Sequence, residues 1–121
     1  MAKSIAIVAG SYHKDSVEKM IEKAKAVASD NNIIVEEVNW VPGSMEVPLQ
    51  IKRLFLRESI DGAVVLGIIE NGETKHGLVM GQAVTDSLLN LQLASMKPIG
   101  FGIIGPGAKP EHIEERLLPY A

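Results

Sequence analysis

Four short apolar runs constrain this chain more than anything else in it. They span residues 4–9, 33–38, 62–68 and 99–104 and are rich in Ile, Val, Ala and Gly. Near-continuous apolar runs of this length are expected of strands buried on both faces. Helical patterns alternate with them. Over residues 16–29, Val17, Met20, Ile21, Ala24, Val27 and Ala28 recur at the i, i+3, i+4 spacing of one helix face. Val47, Ile51, Leu54 and Phe55 give a second helix its apolar stripe. A third is expected over residues 75–95, stopped by Met96-Lys97-Pro98, and a short fourth follows Pro110. The order βαβαβαβα predicts an α/β fold with a four-stranded parallel sheet, because parallel neighbours need helical crossovers, which then cover both faces.

Local signals refine the boundaries. Asp15 with Glu18 three residues on has the form of a capping box for the first helix. Asp30-Asn31-Asn32 ends that helix. Ser44 is the expected N-cap of the second, with Pro48 tolerable in its first turn. Gly105-Pro106-Gly107 is expected to be a rigid turn after the fourth strand. Phe101 and Trp40 are expected to pack.

With 121 residues the chain suffices for one domain, residues 1–121, with a single core. The formal charge of −3 comes without a basic stripe, so neither nucleic acid nor an anionic membrane is an expected partner. There is no cysteine, which excludes disulfides and thiolate chemistry. His13, His76 and His112 are too scattered to suggest a metal site. No GxGxxG, Walker A or Gly-x-Ser-x-Gly motif implies a cofactor or a serine nucleophile. The opening run is too brief for a signal peptide or a membrane span, so a cytoplasmic protein is expected.

In parallel sheets ligands bind beyond the carboxyl ends of the strands. Residues 11–14, 41–46, 68–76 and 105–109 all fall there. Glu70-Asn71-Gly72-Glu73-Thr74-Lys75-His76 joins the third strand to the third helix. Backbone N–H groups, a hydroxyl and an imidazole at a helix start make an anion site with a proton carrier beside it. The plainer alternative is a polar turn capped by Thr74. Gly77 and Gly81 favour the functional reading, since each costs about 1 kcal/mol against alanine in a helix interior and invites close approach. The positive end of the helix dipole also disfavours imidazolium at His76, and a neutral ring can take a proton and return it. In Pro42-Gly43-Ser44-Met45-Glu46, turn, cap and dipole complement explain the residues; the alternative is a wall of polar groups against a heterocycle. Tyr12 is either a surface turn residue or a ring stacked on a planar ligand. Arg116, in a Glu-Glu-Arg run, is by spacing alone a solvated residue.

Taken together, these segments resemble the lumazine synthase family, 6,7-dimethyl-8-ribityllumazine synthase of riboflavin biosynthesis, in its archaeal-like branch. The resemblance rests on Ile5-Ala6-Ile7-Val8 followed by Tyr12, on Trp40-Val41-Pro42-Gly43-Ser44-Met45-Glu46-Val47-Pro48, and on Leu66-Gly67-Ile68-Ile69. It continues through Gly72-Glu73-Thr74-Lys75-His76, Pro98-Ile99-Gly100-Phe101-Gly102, Gly105-Pro106-Gly107 and Glu114-Glu115-Arg116. It implies a flavodoxin-like three-layer sandwich. It implies condensation of 5-amino-6-(D-ribitylamino)uracil with 3,4-dihydroxy-2-butanone 4-phosphate, with no cofactor and no metal.

By the same resemblance His76 would transfer protons. Gly72, Glu73, Thr74 and Arg116 would hold phosphate. Tyr12 would stack on the pyrimidine, and Ser44, Met45, Glu46, Ile68, Ile69 and Glu70 would line its pocket. Phe101 and Arg116 would arrive from a neighbouring subunit of a homopentamer, or of a shell built from pentamers, with a riboflavin synthase as a possible partner. Departures from the family pattern are Tyr12-His13 in place of Phe-Asn, Asn71 at a position often basic, and Gly77-Leu78 after the histidine. The chain stops at Ala121, where the family's long C-terminal helix is expected to be absent. Alternatives are a non-catalytic lumazine- or flavin-binding relative, a riboflavin synthase of the related archaeal type, and a structural shell component.

Overall fold

The computed structural model of the chain describes residues 2–70 and 76–121. The elements in order are β1 (Lys3–Gly10), α1 (Lys14–Asp30), β2 (Ile33–Val41), α2 (Val47–Phe55), β3 (Gly62–Glu70), α3 (His76–Ser95), β4 (Ile99–Ala108) and α4 (Pro110–Tyr120). The four strands form one parallel sheet in the order β2-β1-β3-β4. This is the architecture read from the four apolar runs.

The sheet separates two cores. Alternate residues of β1 point to opposite faces, as the twofold period of a strand requires. Ala6 and Val8 join Val47, Ile51 and Leu54 of α2 and Val84 and Leu88 of α3. Ile7 and Ala9 join Val17, Met20 and Ile21 of α1 and Ile113 and Leu117 of α4. Ile7, Leu66 and Ile104 are wholly buried. Each such side chain contributes about 1.5–3 kcal/mol of apolar transfer energy, so the buried runs drive sheet formation. The outer strand β2 is tied to α2 by polar groups. Gln50 donates to Asn39 at 3.1 Å, Asn39 donates to Glu37 at 3.3 Å, and Arg57 meets Glu37 at 2.9 Å. The hydrogen bond from Arg57 holds the Glu37 carboxyl below its usual range. Such a group stabilises the fold above its unfolded pKa, and that contribution fades as pH falls; the pair is exposed, so it is small.

Several boundaries differ from the sequence reading. α1 starts at Lys14, not at residue 16, and the Asp15–Glu18 capping box does not form. Instead His13 occupies the cap position in a left-handed conformation, with no side-chain cap bond. Asp15 lies inside the first turn, where its charge still complements the helix dipole. Ser44 does not cap α2. It opens a separate 3-10 turn, Ser44–Glu46, and is itself buried. Phe101 is not core but 38% exposed, because β4 is an edge strand. Trp40 is similarly exposed and lies under the Lys14 ammonium, 5.0 Å from its ring centroid.

Gly105 to Gly107 are not a turn after β4 but part of it. Ile68 pairs with Ile104 and Glu70 with Ala108, so residues 105–107 bulge across from Ile69. Gly105 makes that possible. Its φ is +103°, and a Cβ there would collide with the Ile69 carbonyl oxygen. Gly105→Ala is therefore expected to lower stability by about 2 kcal/mol or more. Gly100→Ala, whose added Cβ would meet Val64 at an ordinary 3.5 Å, should be near neutral. Urea unfolding midpoints of the two variants test this.

Candidate functional site

The connections diverge at β1 and β3. β1 leads to β2 on one side, and β3 leads to β4 on the other. In an open parallel sheet a crevice forms at such a switch point, beyond the carboxyl ends of the strands. A cavity of about 350 Å³ lies there, in the size range of small-molecule sites.

Three strand ends and one helix start build its wall. Gly10 ends β1 and Tyr12 comes after it; Pro42, Gly43 and Ser44 follow β2; Ile68 and Ile69 lie near the end of β3. His76, Gly77 and Met80 come from the first turns of α3. The two loops after β1 and β2 are stapled together. The Ser11 N–H donates to the Val41 carbonyl at 2.8 Å, and the Ser11 hydroxyl donates to the Pro42 carbonyl at 3.3 Å. A Cβ on Gly10 would lie 3.9 Å from the backbone of Gly43, so the loops approach closely. Ser44 sits over β3, with its hydroxyl oxygen 3.6 Å from where a Gly67 Cβ would be. It is the buried polar side chain of the described residues, turned inward by the 3-10 turn. The Glu46 carboxylate folds back towards Gly43, within 3.4 Å of a Cβ built there.

Among the described residues the lining is mainly apolar, and its polar side chains are those of Tyr12, Ser44 and His76. His76 is exposed and begins α3, so it stands at the rim with the helix dipole behind it. Met80 follows at i+4, on the same helix face and deeper in the wall. Apolar walls with a few directed polar groups suit a planar ligand oriented by hydrogen bonds.

Of the residues named from sequence, Tyr12, Ser44, Ile68, Ile69 and His76 come together here. Met45 is 57% exposed and, like Glu46, is outside the lining. Phe101 and Arg116 do not line the cavity either. Arg116 belongs to α4, whose Ile113 and Leu117 pack on the α1 side of the sheet. Phe101 lies on the β4 edge. Gly72, Glu73, Thr74 and the side chain of Glu70 lie outside the described residues. Gly10 and Met80 were not singled out by sequence, whereas Pro42 and Gly43 belong to the loop weighed there as a wall and Gly77 to the glycines read as inviting close approach. The i+4 spacing of Met80 from His76 is the signal that could have found it.

The family model of 6,7-dimethyl-8-ribityllumazine synthase matches residues 2–118 of this chain. The chain belongs to that family. A relative from Metallosphaera sedula named 6,7-dimethyl-8-ribityllumazine synthase is 38% identical over 117 residues, covering 97% of this chain and 78% of its own length. Relatives of the same name from Saccharolobus solfataricus and Staphylothermus marinus are 36% and 35% identical over the same share of this chain, and over 76% and 78% of their own lengths. The archaeal resemblance read from the motifs agrees with these matches.

Gly77 bears on whether the cavity is open space or packing. Gly77→Leu would extend a side chain into it from α3. If the cavity is open, stability should stay level or rise by about 1 kcal/mol, from recovered helix propensity. A clearly lower thermal midpoint would mean that the space is already filled.

Proposed function

We propose that this chain is a 6,7-dimethyl-8-ribityllumazine synthase, with the cavity at the β1/β3 switch point as its pyrimidine site. The family match over nearly the whole chain carries the reading, and the cavity lies where this sheet topology favours a ligand. The reaction joins 5-amino-6-(D-ribitylamino)uracil and 3,4-dihydroxy-2-butanone 4-phosphate. The pyrimidine amine adds to the ketone carbon, and water leaves to give an imine. Inorganic phosphate is then eliminated with the proton of the neighbouring hydroxyl-bearing carbon, leaving an enol that tautomerises to a new carbonyl; the ribitylamino nitrogen closes the second ring on that carbonyl, and a second water departs.

Each step moves protons between nitrogen, carbon and oxygen. His76 is the residue assigned to carry them. Its position at the cavity rim and the start of α3 supports this, because a general base must stand within reach of the reacting atoms. Tyr12 supplies a ring face to the pyrimidine. Ser44 offers a hydroxyl, and the apolar walls at Ile68, Ile69 and Met80 exclude water. Gly72, Glu73 and Thr74, shortly before α3 in the sequence, are assigned the phosphate, since helix starts favour anions. Arg116 joins them as a guanidinium partner.

The same reading makes the protein a homo-oligomer, with a pentamer as the unit. α3 supports this. It carries Asp86 as its one charged residue, and its outer side exposes Val79, Leu89 and Leu93, followed by Met96. An apolar stripe this long on a solvent-facing helix is characteristic of an interface. Phe101 and Arg116, away from their own cavity, would then complete a neighbour's site. A cytoplasmic location fits a chain whose described helices include none long and apolar enough to cross a membrane.

Purified protein given both substrates should release lumazine and phosphate in equal amounts; binding of lumazine without turnover would instead mark a non-catalytic relative. His76→Ala is expected to lower kcat by about a hundredfold, the lower end for loss of a general acid–base, with an unchanged circular dichroism spectrum. Full activity in that variant would remove the role. Leu93→Glu should place a charge in the α3 stripe and shift the protein towards monomers in sedimentation velocity, with activity falling alongside.

A further inference from the structure

The turn between β1 and α1 holds a conformation that the proposed chemistry leaves unexplained. His13 stands at φ 58°, ψ 48°. A residue with a Cβ enters this left-handed region only at a steric cost. The His13 carbonyl accepts the first helical N–H, from Val17 at 3.0 Å, so the backbone starts α1 while the side chain makes no cap bond. The ring is instead set against Tyr12. The two centroids are 4.9 Å apart and the planes meet at 89°. That edge-to-face arrangement is one that aromatic pairs prefer.

The residues on either side are fixed independently. Ser11 is tied to the β2 end by two hydrogen bonds, and the Lys14 ammonium rests over Trp40. Between these anchors Tyr12 is 62% exposed yet lines the cavity. A ring so exposed has rotamer freedom to lose when a ligand stacks on it, unless a neighbour has already restricted it.

We propose that His13 is a positioning residue: its ring braces Tyr12 at the cavity mouth, so that the tyrosine meets a planar heterocycle already oriented. The left-handed backbone at His13 sets where its ring stands, and the anchors on either side hold that backbone. Strain of this kind persists where surrounding structure over-determines it, which the anchors at Ser11 and Lys14 do. His13 therefore acts on planar-ligand affinity only through Tyr12. This inference rests on reading the cavity as the pyrimidine site.

The test is a double-variant cycle on the full chain. His13→Asn keeps a residue type at home in the left-handed region and removes the ring. Wild type, His13→Asn, Tyr12→Leu and the double variant are titrated with 6,7-dimethyl-8-ribityllumazine, and their steady-state constants and thermal midpoints are measured. His13→Asn is expected to weaken lumazine binding, and to raise KM for the pyrimidine substrate, about three- to tenfold, the range of an edge-to-face pair. The kcat, the KM for the phosphorylated substrate and the thermal midpoint should stay at wild-type values. In the Tyr12→Leu background the same substitution should weaken binding no further. An equal loss in that background, or no loss in His13→Asn alone, overturns the brace while leaving the site reading intact. Wild-type protein that neither binds lumazine nor turns over removes the site reading, and the brace with it.

Discussion

β1 and β3 run side by side at the centre of the sheet, Ile5 opposite Gly62 and Ala9 opposite Leu66, and both cores depend on that pairing. β1 is buried on both faces, so its alternate residues are shared between the α2/α3 layer and the α1/α4 layer. Neither helix layer has a surface to pack against without it. The same pairing creates the crevice. Because β1 and β3 lead outwards in opposite directions, a crevice forms beyond their carboxyl ends, walled by the loop that follows β2. Stability and the cavity thus come from one arrangement: a dry centre below and a crevice above.

The crevice is made usable by close backbone approach. Gly10 and Gly43 let the first two loops meet, and the Ser11 hydrogen bonds to residues 41 and 42 lock them. Gly105 lets β4 bulge against Ile69, next to the cavity wall. At that position a larger residue would disturb the wall through the backbone, with no side chain of its own in the site. Among the described residues the wall is otherwise apolar, so the polar groups that reach it can direct a ligand rather than merely solvate it.

A chain this apolar along one exposed helix does not look finished as a single copy. The outer stripe of α3 and the edge position of Phe101 point outwards from the fold. Arg116, held on α4, is displaced from its own subunit's cavity. A site shared between copies would account for all three with one interface. Under the proposed function it would also couple assembly to catalysis, since Arg116 would reach the phosphate only from a neighbouring copy.

The residues of this chain determine by themselves which segments are strand and which helix, and in what order, though not their exact ends. Apolar runs of strand length and the i, i+3, i+4 spacing of Val17 to Ala28 are local patterns. They also carry the family, because the loop motifs are contiguous in sequence. Other features were decided only by tertiary contact. Ser44 turned inward instead of capping, since Gly67 leaves room for it over β3. Residues 105–107 became strand rather than turn, since Ile69 stood opposite. His13 took a left-handed conformation that displaced the capping box, with anchors at Val41, Pro42 and Trp40 on either side of it. Met80 joined the wall because α3 lies across the β3 end. In each case the partner is distant along the chain, and no local propensity can encode which distant backbone will be there.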